Sequence, residues 1–340
     1  VGLRGIAIIA VLVHHQLTTV TLKGGFLGVD LFFVLSGFII FYVHQKDIGN
    51  PKTFNNFLYK RFTRIFPIYW IATIIFILLT FFNHSIESII TSALLLPDES
   101  QPIIGVAWSL RYEVLFYSLF CLLILFKKIS RMILIAWILF ILFFILSPIN
   151  QLNNPWLNLI INPINYEFIF GCIAAYLFVK SKGKNLIYLI LFSTIYFVLS
   201  FIIQFSFSIE INRVIAWGVP SALLILGLAN LEETKSLFIP KILIFLGDAS
   251  YSIYLTHVIV ILIIEKIAIK IDLFSTNFLP NILALLTALL AIILGSLFYR
   301  YIEKPLLNYL KQKKWNKRTI FFNNQKVHKN QQDLHTKKHS

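Results

Sequence analysis

Residues 27–44 read Leu27-Gly28-Val29-Asp30-Leu31-Phe32-Phe33-Val34-Leu35-Ser36-Gly37-Phe38-Ile39-Ile40-Phe41-Tyr42-Val43-His44. A membrane-spanning helix needs roughly 20 mainly apolar residues. This run comes close to that length and carries a single carboxylate, Asp30. Working outward, runs of the same kind lie near 3–20, 65–82, 104–126, 132–148, 163–180, 186–204, 212–230, 250–270 and 280–300. Together they predict an all-α, polytopic integral membrane protein with about ten transmembrane helices. The segment 86–96 is apolar but too short to cross, so it is expected as a surface or re-entrant stretch.

Composition agrees. Of the 340 residues, 58% are hydrophobic and 13% charged, against roughly 45–50% and 25% in soluble domains. Mean hydropathy is +0.80. A net charge of +15 raises the question of nucleic acid, but its distribution argues against such a partner. Eleven of the 30 Lys and Arg residues lie from Arg300 onward. Most others sit in short clusters between apolar runs, and anionic lipid headgroups account for them. The two cysteines, Cys121 and Cys172, fall inside apolar runs with no CxxC spacing. That argues against a metal site and against structural disulfides. The first apolar run carries Arg4 and His15 and no small-residue cleavage site, so it is not read as a cleavable signal.

The loops set an orientation. With the N-terminus inside, inner loops hold thirteen Lys and Arg, among them Lys46, Lys60, Arg61, Arg64, Lys127 and Lys184. Outer loops hold four: Lys23, Arg213, Lys266 and Lys270. The positive-inside rule then places both termini in the cytoplasm. Residues 1–305 are expected to form the membrane domain. Residues 306–340, rich in Lys and Asn, are expected as a basic, partly disordered cytoplasmic tail.

Ionisable groups inside a span are costly and usually functional. They concentrate here in a few helices: Arg4, His14 and His15 in the first, Asp30 in the second, Arg111 and Glu113 in the fourth, Glu167 in the sixth and His257 in the ninth. The fifth, seventh and tenth have essentially none. Arg4 and His15 are eleven residues apart, close to three helical turns, so they share a face about 16 Å apart along the axis. His14 points roughly 100° away. Arg binds phosphate well, and His is the natural general base near neutral pH. An anion site at the mouth with a base deep inside suits an elongated, phosphate-bearing donor. Glu113 lies roughly 13 Å from the outer surface, a depth similar to that of His15. The two could form a base–orienter pair. Alternatively, Glu113 pairs with Arg111 or caps a kinked helix.

Arg61 and Arg64, at i,i+3, project from nearly one face. With Arg4 they would make a phosphate cluster, although ordinary inner-loop arginines read the same way. Ser250, Tyr254 and His257 form one polar stripe at i, i+4, i+7. His257 alone is equally a satisfied packing residue. Gly24-Gly25-Phe26-Leu27-Gly28 lacks the Lys-Ser/Thr of a phosphate loop and reads as a tight turn. That turn leaves Asp30 near the outer face of the cavity. Ser36-Gly37 reads as helix packing.

The motifs taken in order resemble the acyltransferase family 3 membrane proteins, which O-acylate surface carbohydrates. The matches are Leu3-Arg4-Gly5-Ile6-Ala7 with His15; the stretch from Gly28-Val29-Asp30 to Ser36-Gly37-Phe38; Arg61-x-x-Arg64-Ile-x-Pro67; and Trp108-Ser109-Leu110-x-x-Glu113-x-x-Phe116-Tyr117. Phe168-x-x-Gly171, Gly247-x-x-Ser250-Tyr251-x-x-Tyr254-Leu255-x-His257 and Glu303-Lys304-Pro305 follow. The set runs through residues 2–305. The resemblance implies ten helices, essential Arg4 and His15, and a donor held in part by Arg61 and Arg64. It implies transfer from cytoplasmic acyl-CoA, often acetyl-CoA, to an acceptor hydroxyl. One departure from the family pattern is that its usual acidic residue just before Leu-Arg-Gly is missing; Val1-Gly2 precede Leu3 here.

The expected function is therefore O-acyl transfer to a surface polysaccharide, its lipid-linked precursor or another glycoside, in a bacterial plasma membrane. His15, Glu113 and Arg4 are the expected catalytic set. Arg61, Arg64, Asp30, Trp108, Ser109, Tyr254 and His257 are expected to bind substrates. A transporter or carrier of a carbohydrate or lipid-linked intermediate is the alternative, since polar residues along a midplane path describe carriers too. Dependence on an acyl donor separates the two.

Overall fold

A computed structural model describes residues 1–16, 27–81, 83–147, 152–181, 184, 186–207, 209, 211–235, 237–270 and 279–313. Among these, all regular structure is helical, and nine stretches are long and apolar enough to cross a membrane. The chain is a polytopic membrane protein. The run quoted first is helix α2, Leu27–His44, with the expected bounds. The first apolar run is helix α1, Gly2–Gln16, shorter than a span; the rest of the expected 3–20 lies outside the described residues. The short 86–96 segment holds an eight-residue helix α4, Ile86–Ala93, whose first turn is capped by the Ser85 hydroxyl accepting from the Ser88 N–H.

Several boundaries differ from the sequence expectation because polar residues extend a helix beyond its apolar part: the helix expected at 250–270 runs Lys241–Lys270, and the one expected from 132 starts at Lys127. Helix α3 runs Phe54–Leu79, so Arg61 and Arg64 lie within it rather than at its mouth. At the other end of the chain, the helix that follows the last span continues to Lys313, and the Tyr59 hydroxyl donates to the Leu310 carbonyl at 2.9 Å. Residues after Glu303 therefore belong to the folded part as far as Lys313, and residues 314–340 lie outside the described residues.

The remaining helices are α5 (Trp108–Leu125), α6 (Lys127–Leu146), α7 (Pro155–Ile161), α8 (Asn165–Ser181), α9 (Ile187–Ser206), α10 (Val219–Thr234), α11 (Lys241–Lys270) and α12 (Leu279–Phe298). The spans without intramembrane ionisable groups, α6, α9 and α12, are the least buried, with 12%, 11% and 22% of each span inside the protein. Phe143, Leu191 and Leu285 point outward from them. Lipid can satisfy such side chains and cannot satisfy charged ones. The polar-bearing helices α1, α2, α5, α8 and α11 therefore gather inside.

Close packing at the centre depends on glycine. A Cβ on Gly37 of α2 would sit 2.1 Å from the Phe168 carbonyl oxygen, and one on Gly171 of α8 would sit 2.1 Å from the Val34 carbonyl oxygen. The obstacles are backbone atoms, so no rotamer change relieves them. Gly37→Ala is expected to force α2 and α8 apart, at a cost of about 1–3 kcal/mol or more. A lowered thermal midpoint in detergent, with Val43→Ala at an outward-facing position of the same helix as the control, measures this. An unchanged midpoint would show that the two helices do not approach this closely.

Candidate active site

Helices α1, α2, α3, α5 and α11 enclose a cavity of about 160 Å³. Arg4 of α1, Arg61 and Arg64 of α3, Ser36 of α2, and Glu113 and Tyr117 of α5 line it. The three arginines grouped by the sequence reading all line this cavity. Arg61 and Arg64 share a face of α3, and Arg4 joins them from α1.

Each guanidinium is held differently. Arg64 Nη1 donates to Glu303 Oε1 at 2.8 Å, and the Ser252 hydroxyl donates to Glu303 Oε2 at 2.6 Å. Glu303 is fully buried, at the end of a wide i→i+5 turn spanning Tyr299–Glu303. Arg61 Nη2 lies 3.1 Å from His44 Nε2, and His44 Nδ1 lies 2.7 Å from Asp47 Oδ2. The Arg61 guanidinium also stacks over the Phe57 and Tyr117 rings, while its buried Nε has no hydrogen-bond partner among the described residues. Among the described residues Arg4 makes no ion pair within 4.0 Å; its charged neighbours are Arg64, Glu113 and Glu303. Among the described residues, Glu113 is the one carboxylate in the lining. Arg64 is offset by Glu303, which leaves Arg4 and Arg61 facing the Glu113 carboxylate across the cavity.

Glu113 pairs neither with Arg111 nor with a cap. Its Oε1 accepts from the Ser36 hydroxyl at 3.2 Å and from the Tyr117 hydroxyl. Its Oε2 has no hydrogen bond among the described residues. Tyr117 follows Glu113 by one turn, so the pair was open to an i,i+4 reading of α5. The Arg111 Nη1 instead donates to the carbonyls of Asp98 and Ser100 at 3.3 and 3.1 Å.

Helix α1 is unbroken from Gly2 to Gln16, so the three-turn register between Arg4 and His15 exists in the backbone. The side chains of His14 and His15 lie outside the described residues. Ser109 and Tyr254 reach the cavity together: their hydroxyls are 2.8 Å apart, and Tyr254 also donates to the Val106 carbonyl at 2.7 Å. Ser250 of the expected stripe joins the lining. His257 does not; it is fully buried one turn beyond Tyr254, with the two rings 5.8 Å apart.

Asp30 is placed away from this cavity. It is fully buried, and both its oxygens are taken by Arg213, Nε to Oδ1 at 2.7 Å and Nη2 to Oδ2 at 3.3 Å. Arg213, which counts as an outer-edge cation by sequence, immediately precedes a second wide turn, Val214–Gly218. Its guanidinium lies over the Trp108 ring at 5.7 Å. Asp30 thus braces Trp108 through Arg213, and Trp108 faces a second cavity behind α5.

The cavity is thus sunk in a helical membrane bundle, with three guanidiniums and a carboxylate–hydroxyl pair in its wall. The chain belongs to the acyltransferase domain family: that family's model matches residues 2–301. It is therefore an O-acyltransferase, and its chemistry requires an acyl donor. It is 28% identical over 305 residues to the exopolysaccharide production protein ExoZ of Rhizobium meliloti (strain 1021), covering 83% of this chain and 90% of that protein. To the peptidoglycan O-acetyltransferase OatA of Listeria monocytogenes it is 36% identical over 85 residues, 24% of this chain and 14% of that protein. To a Staphylococcus aureus (strain COL) protein named "Putative O-acetyltransferase SACOL0978" it is 25% identical over 345 residues, 89% of this chain and 56% of that protein. No solved structure matches the chain.

Proposed function

We propose that the protein moves an acetyl group from cytoplasmic acetyl-CoA to a hydroxyl of a cell-surface polysaccharide or its lipid-linked precursor, in a bacterial plasma membrane. The observation that carries this reading is the convergence of Arg4, Arg61 and Arg64 with Glu113 in one cavity. Guanidiniums are the side chains best suited to the phosphates of CoA. The names of ExoZ and OatA carry a surface polymer into the reading.

In this reading the donor's phosphates sit on the arginines, and its thioester reaches inward along the face of α1 that bears Arg4 and His15. His15 takes the proton of the acceptor hydroxyl as that oxygen attacks the thioester carbonyl. The tetrahedral intermediate collapses with loss of CoA thiolate, leaving the ester on the sugar. Glu113, with Oε2 open, orients the imidazole and offsets its positive charge. A route through an acyl group carried on His15 uses the same residues.

The direct test is the acetyl content of surface polysaccharide with and without the gene. Loss of O-acetyl groups on deletion, restored by the wild-type chain, is expected; an unchanged content would refute the proposal. Orientation is tested separately. A reporter fused after Lys184 should read cytoplasmic and one at Asn153 external, as loop charge requires. The reverse pair of readings would place the arginines on the wrong side for cytoplasmic CoA.

A further inference from the structure

Behind α5 lies a second and larger cavity, about 480 Å³, between α5, α7 and the loop 97–101. Helix α5 is the wall between the two. Ser109 and Glu113 face the arginine cavity, while Trp108, Arg111 and Tyr112 face the second. Its far side carries Asp98, Glu99 and Gln101 from the loop before α5 and Asn153 from the segment before α7.

The chemistry of this lining differs from that of the first cavity. Arg111 is 8% exposed, and its Nε and Nη2 are buried donors with no partner among the described residues. Its Nη1 is spent on the Asp98 and Ser100 carbonyls, which fixes the rim of the cavity. A buried donor left unpaired costs free energy, so such a site gains when a ligand oxygen arrives. The Ser100 hydroxyl donates to Asp98 Oδ2 at 2.7 Å and holds that carboxyl below its ordinary range, so it stays an acceptor. Trp108 adds an aromatic wall held by Arg213, and Tyr112 stands beside it at 5.9 Å. Planar amides, carboxylates and an aromatic platform match the hydroxyls and C–H face of a sugar ring. Two carboxylates against one guanidinium disfavour an acidic sugar.

We propose that this second cavity binds an uncharged glycosyl unit of the acceptor polysaccharide, placing it on one side of α5 while the acyl donor lies on the other. The proposal rests on the acyltransferase reading and adds the acceptor's site and charge class. Phe33 lines the donor cavity and packs edge-on against Trp108 at 6.1 Å and tilted against Tyr112 at 6.2 Å. These three rings are the barrier an acceptor hydroxyl must pass.

The test uses the purified full chain in nanodiscs. The acceptor is envelope polysaccharide extracted from cells lacking the gene, and the donor is labelled acetyl-CoA. The variant combines Glu99→Gln, Gln101→Ala and Asn153→Ala, three exposed side chains that no hydrogen bond ties to the fold among the described residues. Each lost sugar hydrogen bond is worth roughly a factor of 2–10. The expected result is an acceptor KM raised at least about tenfold, with the acetyl-CoA KM and acetyl-CoA binding unchanged. Cellotetraose and maltotetraose should inhibit wild-type transfer, and tetragalacturonate should not. A wild-type acceptor KM in the triple variant overturns the site. Inhibition by tetragalacturonate alone overturns the charge class. Absence of acetyl-CoA binding in the wild type would instead bring down the acyltransferase donor reading itself, a separate failure seen in a separate assay.

Discussion

His15→Ala is expected to abolish acyl transfer, while His14→Ala keeps most of it. The two residues are neighbours in sequence and differ in register. Helix α1 is continuous from Gly2 to Gln16. Eleven residues from Arg4 bring the chain back to the same face after three turns, and His14 sits roughly 100° off that face. A donor anchored on Arg4 therefore meets position 15 and not position 14. Removing a general base costs typically at least 10²-fold, and more where the residue is a nucleophile. Both variants should insert normally, because replacing His by Ala lowers the cost of a membrane span. The measurement is transfer of labelled acetyl by purified variants at equal abundance. An inactive His14→Ala beside an active His15→Ala would mean that the assigned face, and the catalytic scheme with it, is wrong.

The second large effect belongs to the arginines of α3. The double variant Arg61→Ala, Arg64→Ala is expected to raise the KM for acetyl-CoA by about 10²-fold or more, since each charge-assisted hydrogen bond contributes roughly 1.5–3 kcal/mol. Arg64→Ala also leaves the buried Glu303 carboxylate with Ser252 alone, and an orphaned buried charge destabilises a protein in its own right. Coupling Arg64→Ala to Glu303→Gln removes that orphan and separates loss of the donor site from loss of fold. Arg61→Ala alone is cleaner, because its neighbour His44 keeps Asp47. Arg61→Lys should recover only part of the affinity, as Lys lacks the planar fork. Wild-type acetyl-CoA affinity in the double variant would exclude these residues from donor binding.

Much of this architecture was legible from hydropathy. The run 27–44 matches α2 to the residue, and the ionisable-free runs became the lipid-facing helices α6, α9 and α12. An apolar count reports where a helix meets lipid, and it is silent about the polar turns that extend a helix out of the bilayer. That is why α3 starts at Phe54 rather than near 65, and why the last helix reaches Lys313. Motif spacing found Arg4, Arg61, Arg64 and Glu113, which do share a cavity. Long-range partners were beyond it. Asp30 and Arg213 are 183 positions apart, and Arg64 and Glu303 are 239 apart. Nothing local announces such pairs, although a lone carboxylate inside a span implies that a cation exists somewhere. Glu303 stood in a quoted motif with no role attached. His44 closed the first quoted stretch without attracting notice, and only the fold sets it beside Arg61. Both wide turns, at 214–218 and 299–303, adjoin or contain one of these partners. Such turns recur at functional sites, and no composition signal marks them.

Donor-dependent transfer by the isolated protein tests the central claim most directly. The chain is purified, placed in nanodiscs and given labelled acetyl-CoA with unacetylated envelope polysaccharide. Base-labile label should appear on the polysaccharide in amounts that follow acetyl-CoA concentration, with free CoA released in step, and both should vanish in His15→Ala. Movement of the glycan across a sealed bilayer at a rate indifferent to acetyl-CoA, with no label transferred, would contradict the account and mark the protein as a carrier.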